Sequence, residues 1–392
     1  MLSDLLARAR KRPLVLAAVA VVAAGGAWTT GWVAGHAQGR GGDVAMTGGE
    51  LQKAKAPKPR PPAPADLQKD IEILAERYKE PVGVAIMDVE SGWIAHVEGD
   101  ALFPQQSVSK LWVALATLES VDRGETTLDR VVSMTAEDRS VFYQPLGRRI
   151  RDTRPVSVSI AELLRWAITE SDNSANDKLM RELGGADAVT GLLSEKGLQN
   201  VRVGAYERDL QAQIAGMSWR PEYGVDWNFQ HARERLPNQV RDDAMAAYLA
   251  DPLDGASPVG IVQALAALHR GELLSPASTQ VMIGLLNDCR TGSRRLKAGL
   301  PAGWRLGHKT GTGQDWRGYS VGINDVGLVT APDGRVYAIA VMMRKTAKPV
   351  GNRQAFFQAA SSTLATHWAR TRNAAPVGQV VAEGQAATEP AL

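Results

Sequence analysis

A single cysteine, Cys289, stands among 392 residues, so no intrachain disulfide can staple the fold. None is needed, because a globular portion of about 300 residues buries about three quarters of its unfolded surface. No sequence context supports a reactive thiol, and Cys289 is read as half-buried and structural. Histidine is sparse as well. The six residues His36, His96, His231, His269, His308 and His367 are scattered, with no H-E-x-x-H string and no close ligand pair, so neither a metal nor another cofactor is expected. A basic folded body is also missing. The chain carries +3 overall, yet residues 1–37 hold +3 and residues 38–65 a further +3, which leaves the remainder at −3. Nucleic acid requires a basic face on the folded domain and is excluded as a partner. No internal repeat is present.

Four regions follow from composition. A basic patch, Arg8 to Arg12, precedes an uncharged run from Pro13 to Gly35. Residues 1–37 therefore read as a cleaved signal peptide or an uncleaved anchor, and a membrane contact is expected only through this segment. Either way the rest lies outside the cytoplasm, in the periplasm or its equivalent, with the positive residues on the cytoplasmic side. Residues 38–65 are a Gly/Pro/Lys linker, extended through Ala56 to Pro64. Residues 66–372 form the folded domain. Residues 373–392 are small and polar and read as a disordered tail.

Within the domain the pattern predicts a helix over Asp66 to Lys79. A hairpin follows, with strands at Val82 to Val89 and Trp93 to Val97. Residues 107–290 read as a long helical stretch. Strands at Val321 to Thr330 and Val336 to Arg344 join at Ala331-Pro332-Asp333-Gly334, and a closing helix spans Arg353 to Arg370. Strands at both ends with helices between them imply one sheet assembled from distant segments, an α+β layout.

Three strings carry chemistry: Ser107-Val108-Ser109-Lys110, Ser171-Asp172-Asn173 and Lys309-Thr310-Gly311. A nucleophilic hydroxyl needs a base within hydrogen-bond reach, and positions i and i+3 of a helix share a face, so Ser107 and Lys110 can enter one cleft. The helix from Lys110 to Gly124 carries an apolar stripe of Leu111, Trp112, Leu115 and Leu118. Its start places Ser107 where unpaired N–H groups favour negative charge. Each string alone is common. Their order, with Ser171 64 residues and Lys309 202 residues after Ser107, is not.

On these residues the chain resembles the class A β-lactamase family, within the serine penicillin-recognising fold, over roughly residues 67–370. Further matching stretches are Phe103-Pro104, Tyr143-Gln144-Pro145, Leu183-Gly184-Gly185, Leu300-Pro301-Ala302-Gly303-Trp304 and Asn324-Asp325-Val326-Gly327. The resemblance implies a β-lactamase/transpeptidase-like fold: an antiparallel sheet of N- and C-terminal strands flanked by helices, plus an all-helical subdomain carrying the nucleophile. It implies that Ser107 is acylated with Lys110 as its partner, and that Ser171 passes a proton to the leaving nitrogen. Asn173 would hold the substrate's side-chain amide, and Tyr143 would wall the cleft. Lys309 would tune Ser171, and Thr310 would bind the substrate carboxylate. The N–H groups of Ser107 and Thr312 would form the oxyanion hole. Glu207 falls where the family's deacylating glutamate stands, with Asp209 as the alternative, and Gln211 replaces an asparagine that shares the hydrolytic water.

Several positions depart from the family. Arg208 replaces a proline and Ala205 an arginine that pins the glutamate's loop. An insertion at about 212–256 carries Trp219, Tyr223, Trp227, Phe229 and Tyr248; these aromatics form a wall beside the cleft or pack the insertion onto the domain. The usual carboxylate-binding arginine is absent from its strand, where Asn324 stands. Lys297 sits where some members place a compensating arginine, and Arg317 is a second option. The resemblance implies a monomeric enzyme acting on a small-molecule β-lactam. The alternatives are a D-Ala-D-Ala carboxypeptidase acting on peptidoglycan stem peptides, or a penicillin-binding sensor without turnover.

Overall fold

The computed structural model describes residues 60–150 and 154–373. The signal or anchor, the linker up to residue 59 and the tail from residue 374 lie outside the described residues. The elements that position the site are helix α1 (Ala65–Tyr78), strands β1 (Val82–Asp88) and β2 (Ile94–Val97), and helices α2 (Lys110–Asp122), α3 (Asn173–Glu182), α4 (Glu207–Ile214), α5 (Asn228–Glu234), α6 (Asn238–Ala250) and α7 (Pro258–His269). Strands β3 (Arg305–Gly311), β4 (Asp315–Trp316), β5 (Tyr319–Thr330) and β6 (Val336–Thr346) follow, and helix α8 (Val350–Asn373) closes the domain.

The sheet order is β2-β1-β6-β5-β3, with β4 paired to β5, and every pairing is antiparallel. Strand alternation decides which layer each side chain joins. On β1, Val82, Val84 and Ile86 pack with Leu67 and Ile71 of α1 and with Phe357 and Leu364 of α8. The intervening Ala85 and Met87 face the other way, toward the helical core of α2 and α7. On β6, Tyr337, Ile339, Val341 and Met343 join the first layer, while Ala338, Ala340 and Met342 join the second. Burial on both faces explains why β1 reads as a continuous apolar run from Val82 to Met87. The sheet of terminal strands matches the α+β reading.

The structure departs from the sequence reading in the middle of the domain and adds a strand to it. The stretch over residues 107–290 is not continuously helical: Val131–Met134 pairs with Val156–Ser159, and Phe103–Pro104 with Gly255–Ala256. β-branched Val131, Val132, Val156 and Val158 favour extended backbone over helix. Lys309-Thr310-Gly311 ends strand β3, paired to β5 with Lys309 opposite Val326. Glycine and lysine are weak strand formers, so only the neighbouring strand fixes that conformation. Helix α2 is buried from Lys110 to Leu118, on every face rather than along one stripe. Gly124 follows it at φ +73, a left-handed position suited to ending a helix.

Candidate active site

The turn carrying Ser107, the nucleophile that the resemblance implies, is built under strain. Gln106 lies at φ 52, a left-handed conformation that costs a non-glycine residue about 1 kcal/mol or more. Its N–H donates to Asp254 Oδ2 at 2.6 Å and Ser109 Oγ donates to its carbonyl at 2.8 Å, so the turn is held on both sides. Ser107 then sits in a single 3₁₀ turn, Gln106–Ser109, that runs into α2. Lys110, the first residue of α2, is fully buried. Its Nζ donates to Ser107 Oγ at 2.7 Å and to Glu207 Oε2 at 2.9 Å. A buried ammonium is sustained only by such pairing.

Ser171 occupies a second left-handed position, φ 64, after a π-helical turn at Trp166–Glu170. The next residue, Asp172, caps α3 by accepting from Ala175 N at 2.9 Å. Capping frees the serine to face Lys309, whose Nζ donates to Ser171 Oγ at 2.9 Å and to the Thr310 carbonyl at 3.0 Å. Burial, joined by the Lys110 charge, lowers the Lys309 pKa to about 7. Asn173 turns its Nδ2 to the Val141 carbonyl at 2.8 Å, aligning the wall that carries Tyr143.

Glu207 opens α4. Asp177, on α3, accepts from the Glu207 N–H at 2.6 Å and from the Arg208 N–H at 3.2 Å, while Ser140 Oγ donates to it at 2.8 Å. Burial and the Glu207 charge raise the Asp177 pKa to about 6. Gln211, one turn on, donates Nε2 to Glu207 Oε1 at 2.9 Å and to Gln106 Oε1 at 2.8 Å. Gln106 Nε2 donates to Tyr248 OH at 2.5 Å, and that hydroxyl donates to Asp254 Oδ1 at 2.9 Å. The glutamate is therefore braced by α3, the nucleophile turn and α6 of the insertion, without the arginine that Ala205 replaces. Asp209 is half-exposed beside Arg208 and makes none of these contacts.

Ser107, Tyr143, Ser171, Asn173, Glu207, Thr310 and Thr312 line one cleft of about 590 Å³. Lys110 and Lys309 lie fully buried, each bonded to a serine of that cleft. Lys297 is not brought to it: the side chain is exposed on the short helix Leu296–Gly299. Arg317 is tied to Asp242 at 2.8 Å and exposed. The cation beside Thr310 and Thr312 is Arg295. Its Nη1 donates to the Gly311 and Asn324 carbonyls at 2.9 and 2.6 Å, and Nη2 to Thr312 Oγ1 at 2.6 Å. The backbone turn at Gly292–Arg295 points residue 295 inward and residue 297 out, a facing that the string Arg295-Leu296-Lys297 alone does not show. Asn324 has a different part. Its Nδ2 donates to the Pro104 and Gln105 carbonyls at 2.8 and 2.9 Å, tying β5 to the nucleophile turn.

The aromatics of the insertion pack mainly on one another. Phe229 is buried with its ring 5.1 Å from Phe142 and 6.0 Å from Tyr223, and Trp219 lies edge-on to Tyr223. Trp227 alone among the five stands largely exposed. Arg233, also from the insertion, reaches the cleft; nothing in its local sequence signals this.

Fold and site together define an active-serine hydrolase of the penicillin-recognising type. A sequence model of the beta-lactamase enzyme family matches residues 66–368, and the chain belongs to that family, with its class A members. Beta-lactamase VEB-1 of Pseudomonas aeruginosa is 26% identical over 283 residues, covering 72% of this chain and 83% of that protein. Extended-spectrum beta-lactamase PER-1, from the same organism, is 26% identical over 300 residues, covering 76% and 85%. A solved beta-lactamase from Chitinophaga pinensis superposes with a TM-score of 0.63 at 25% identity, covering 77% of this chain and 99% of that one. An ancestral class A beta-lactamase gives 0.62 at 29% identity, with the same coverage.

Proposed function

We propose that this chain is an exported serine β-lactamase that opens the lactam amide through a Ser107 acyl-enzyme and clears it with Glu207. The observation that carries the reading is Lys110, whose Nζ is bonded to both Ser107 Oγ and Glu207 Oε2. A carboxylate two hydrogen-bond lengths from the nucleophile is placed to activate a water against the ester.

In acylation, Ser107 Oγ attacks the lactam carbonyl and its proton leaves toward the Lys110–Glu207 pair. The N–H groups of Ser107 and Thr312 receive the oxyanion, a preorganised pair of which each donor is typically worth about 10²–10³ in rate. As the C–N bond breaks, Ser171 Oγ gives its proton to the lactam nitrogen and Lys309 supports the exchange. The substrate carboxylate is held by Thr310, Thr312 and the Arg295 guanidinium. Asn173 holds the side-chain amide against the Tyr143 wall. In deacylation, Glu207, oriented by Gln211, takes a proton from water as the water attacks the ester, and the proton returns to Ser107.

Export is supported by the basic patch Arg8 to Arg12 ahead of the uncharged run Pro13 to Gly35. Among the described residues no helix is long and apolar enough to cross a membrane, and the segment read as a cleaved signal peptide or an uncleaved anchor, residues 1–37, lies outside them.

Nitrocefin turnover by the purified domain tests the reading. Ser107→Ala should abolish turnover. Glu207→Gln should acylate and then accumulate, with hydrolysis slowed by about 10²–10⁴, seen as a persistent mass increase of one substrate. A wild-type protein that acylates without turnover would sink this reading. Release of D-alanine from a stem peptide would then favour the carboxypeptidase.

A further inference from the structure

Three arginines line the cleft: Arg295 is used in the reaction above, Arg290 is paired with Glu170 at 2.7 Å, and Arg233 has neither role. Arg233 projects from α5 of the insertion and lines the cleft beside Gln314, two residues on from the Thr312 that Arg295 holds. Its Nη1 donates to Gln314 Oε1 at 2.8 Å, and its guanidinium carbon lies 5.7 Å from the Phe142 ring centroid. Its Nε is buried with no hydrogen-bond partner. Among the described residues no carboxylate stands within ion-pair distance of it. Asp315, on the same rim, is engaged by the Ser320 hydroxyl. Burial depresses the Arg233 pKa, with Glu234 and Asp315 opposing. A partly desolvated, unpaired guanidinium is a costly arrangement that an anion would relieve.

Its position names the part of the ligand it meets. Phe142 and Tyr143 form the wall beside Asn173, and Gln314 forms the opposite lip, fixed by its Nε2 to the Gln211 carbonyl at 2.8 Å. An acyl side chain leaving past Asn173 passes between them, and Arg233 stands where they converge. Resting on the β-lactamase reading of the site, we propose that Arg233 selects substrates whose acyl side chain carries a carboxylate, so that the cleft clamps a dianion between Arg295 and Arg233. Arginine suits this because its planar fork binds carboxylate in two-point geometry.

Two matched pairs test the proposal: benzylpenicillin against its α-carboxy analogue, and an aminothiazole methoxyimino cephalosporin against its carboxymethoxyimino counterpart. The readout is the ratio of kcat/KM, carboxylated over parent, in the wild type, Arg233→Gln and Arg233→Lys. The glutamine variant should lower this ratio about tenfold in at least one pair, the worth of about one charge-assisted hydrogen bond. The lysine variant should keep part of it, and added salt should erode the wild-type ratio but not that of the glutamine variant. Arg233 is also wired to Glu207 through Gln314 and Gln211, so a purely structural role would slow both members of a pair equally. Equal loss, or an unchanged ratio in both pairs, overturns the proposal. If the wild type turns over neither nitrocefin nor any of the four compounds, the β-lactamase reading fails instead. The same ratios read as Ser107 acylation rates by intact-protein mass then decide the role of Arg233.

Discussion

At the scale of single residues, Lys309 has the sharpest consequence. Burial and the Lys110 charge bring its pKa to about 7, so in the free enzyme the ammonium loses its proton as pH rises through neutrality. An anionic substrate then meets less positive charge. We expect kcat/KM to fall above about pH 7, while kcat changes less because a bound carboxylate restores the proton. Lys309→Arg should flatten the kcat/KM profile, since guanidinium stays charged throughout. A wild-type kcat/KM independent of pH between 6 and 9 (a range of about 3 units around the ordinary His-to-Lys window) would contradict this. Arg295 teaches a different lesson. Chemistry of the right type was visible in Arg295-Leu296-Lys297, but which of the two cations turns inward is fixed by the turn at Gly292 and by the Gly311 and Asn324 carbonyls that receive it.

At the scale of elements, the loop carrying Glu207 shows how one brace replaces another. Its rigidity depends on α3 through Asp177, on the nucleophile turn through Gln106, on α6 through Tyr248, and on Asp254 in the segment after α6. Tyr248→Phe removes a hydroxyl that accepts from Gln106 and donates to Asp254. The buried groups left unsatisfied should cost about 1–3 kcal/mol in a denaturant titration. Deacylation should slow more than acylation, because Gln106 also orients Gln211. Unequal phases in stopped-flow nitrocefin kinetics would register this, and equal slowing of both would refute it. Burial raises the Asp254 pKa to about 7, above the unfolded value near 3.9. A carboxyl raised on folding holds its proton more tightly in the native state, so stability falls as pH climbs from about 4 through 7. Relative to Asp254→Asn, the wild type should therefore lose stability across that window, measured as the difference between their thermal midpoints.

At the scale of the whole molecule, the sheet separates two apolar layers, and the cleft belongs to only one of them. Leu364 on α8 is fully buried among Leu67, Ile71, Val84 and Ile339, on the face away from Ser107. Leu364→Ala should destabilise by about 2–5 kcal/mol and leave kcat/KM for nitrocefin within about twofold at temperatures well below unfolding. A large kinetic effect from this site would mean that the layers are coupled through the sheet. The insertion is likewise divided. Phe229, flanked by Tyr223, anchors it on Phe142, while Arg233 turns back into the cleft.

The sequence alone determined what depends on local chemistry and short-range order. Ser107 and Lys110 share a helical face because they are three apart, the terminal strands imply one sheet assembled from distant segments, and the three strings in their order carry the resemblance to one family. Tertiary structure decided what depends on facing and on distant neighbours. The Lys309-Thr310-Gly311 string became a strand only by pairing with β5, Arg295 rather than Lys297 met the cleft, and the insertion delivered Tyr248 to the nucleophile turn and Arg233 to the cleft beside Gln314. Periodicity encodes which side of its own element a residue occupies. Which partner that side meets is set by long-range packing, which the linear order of residues does not display.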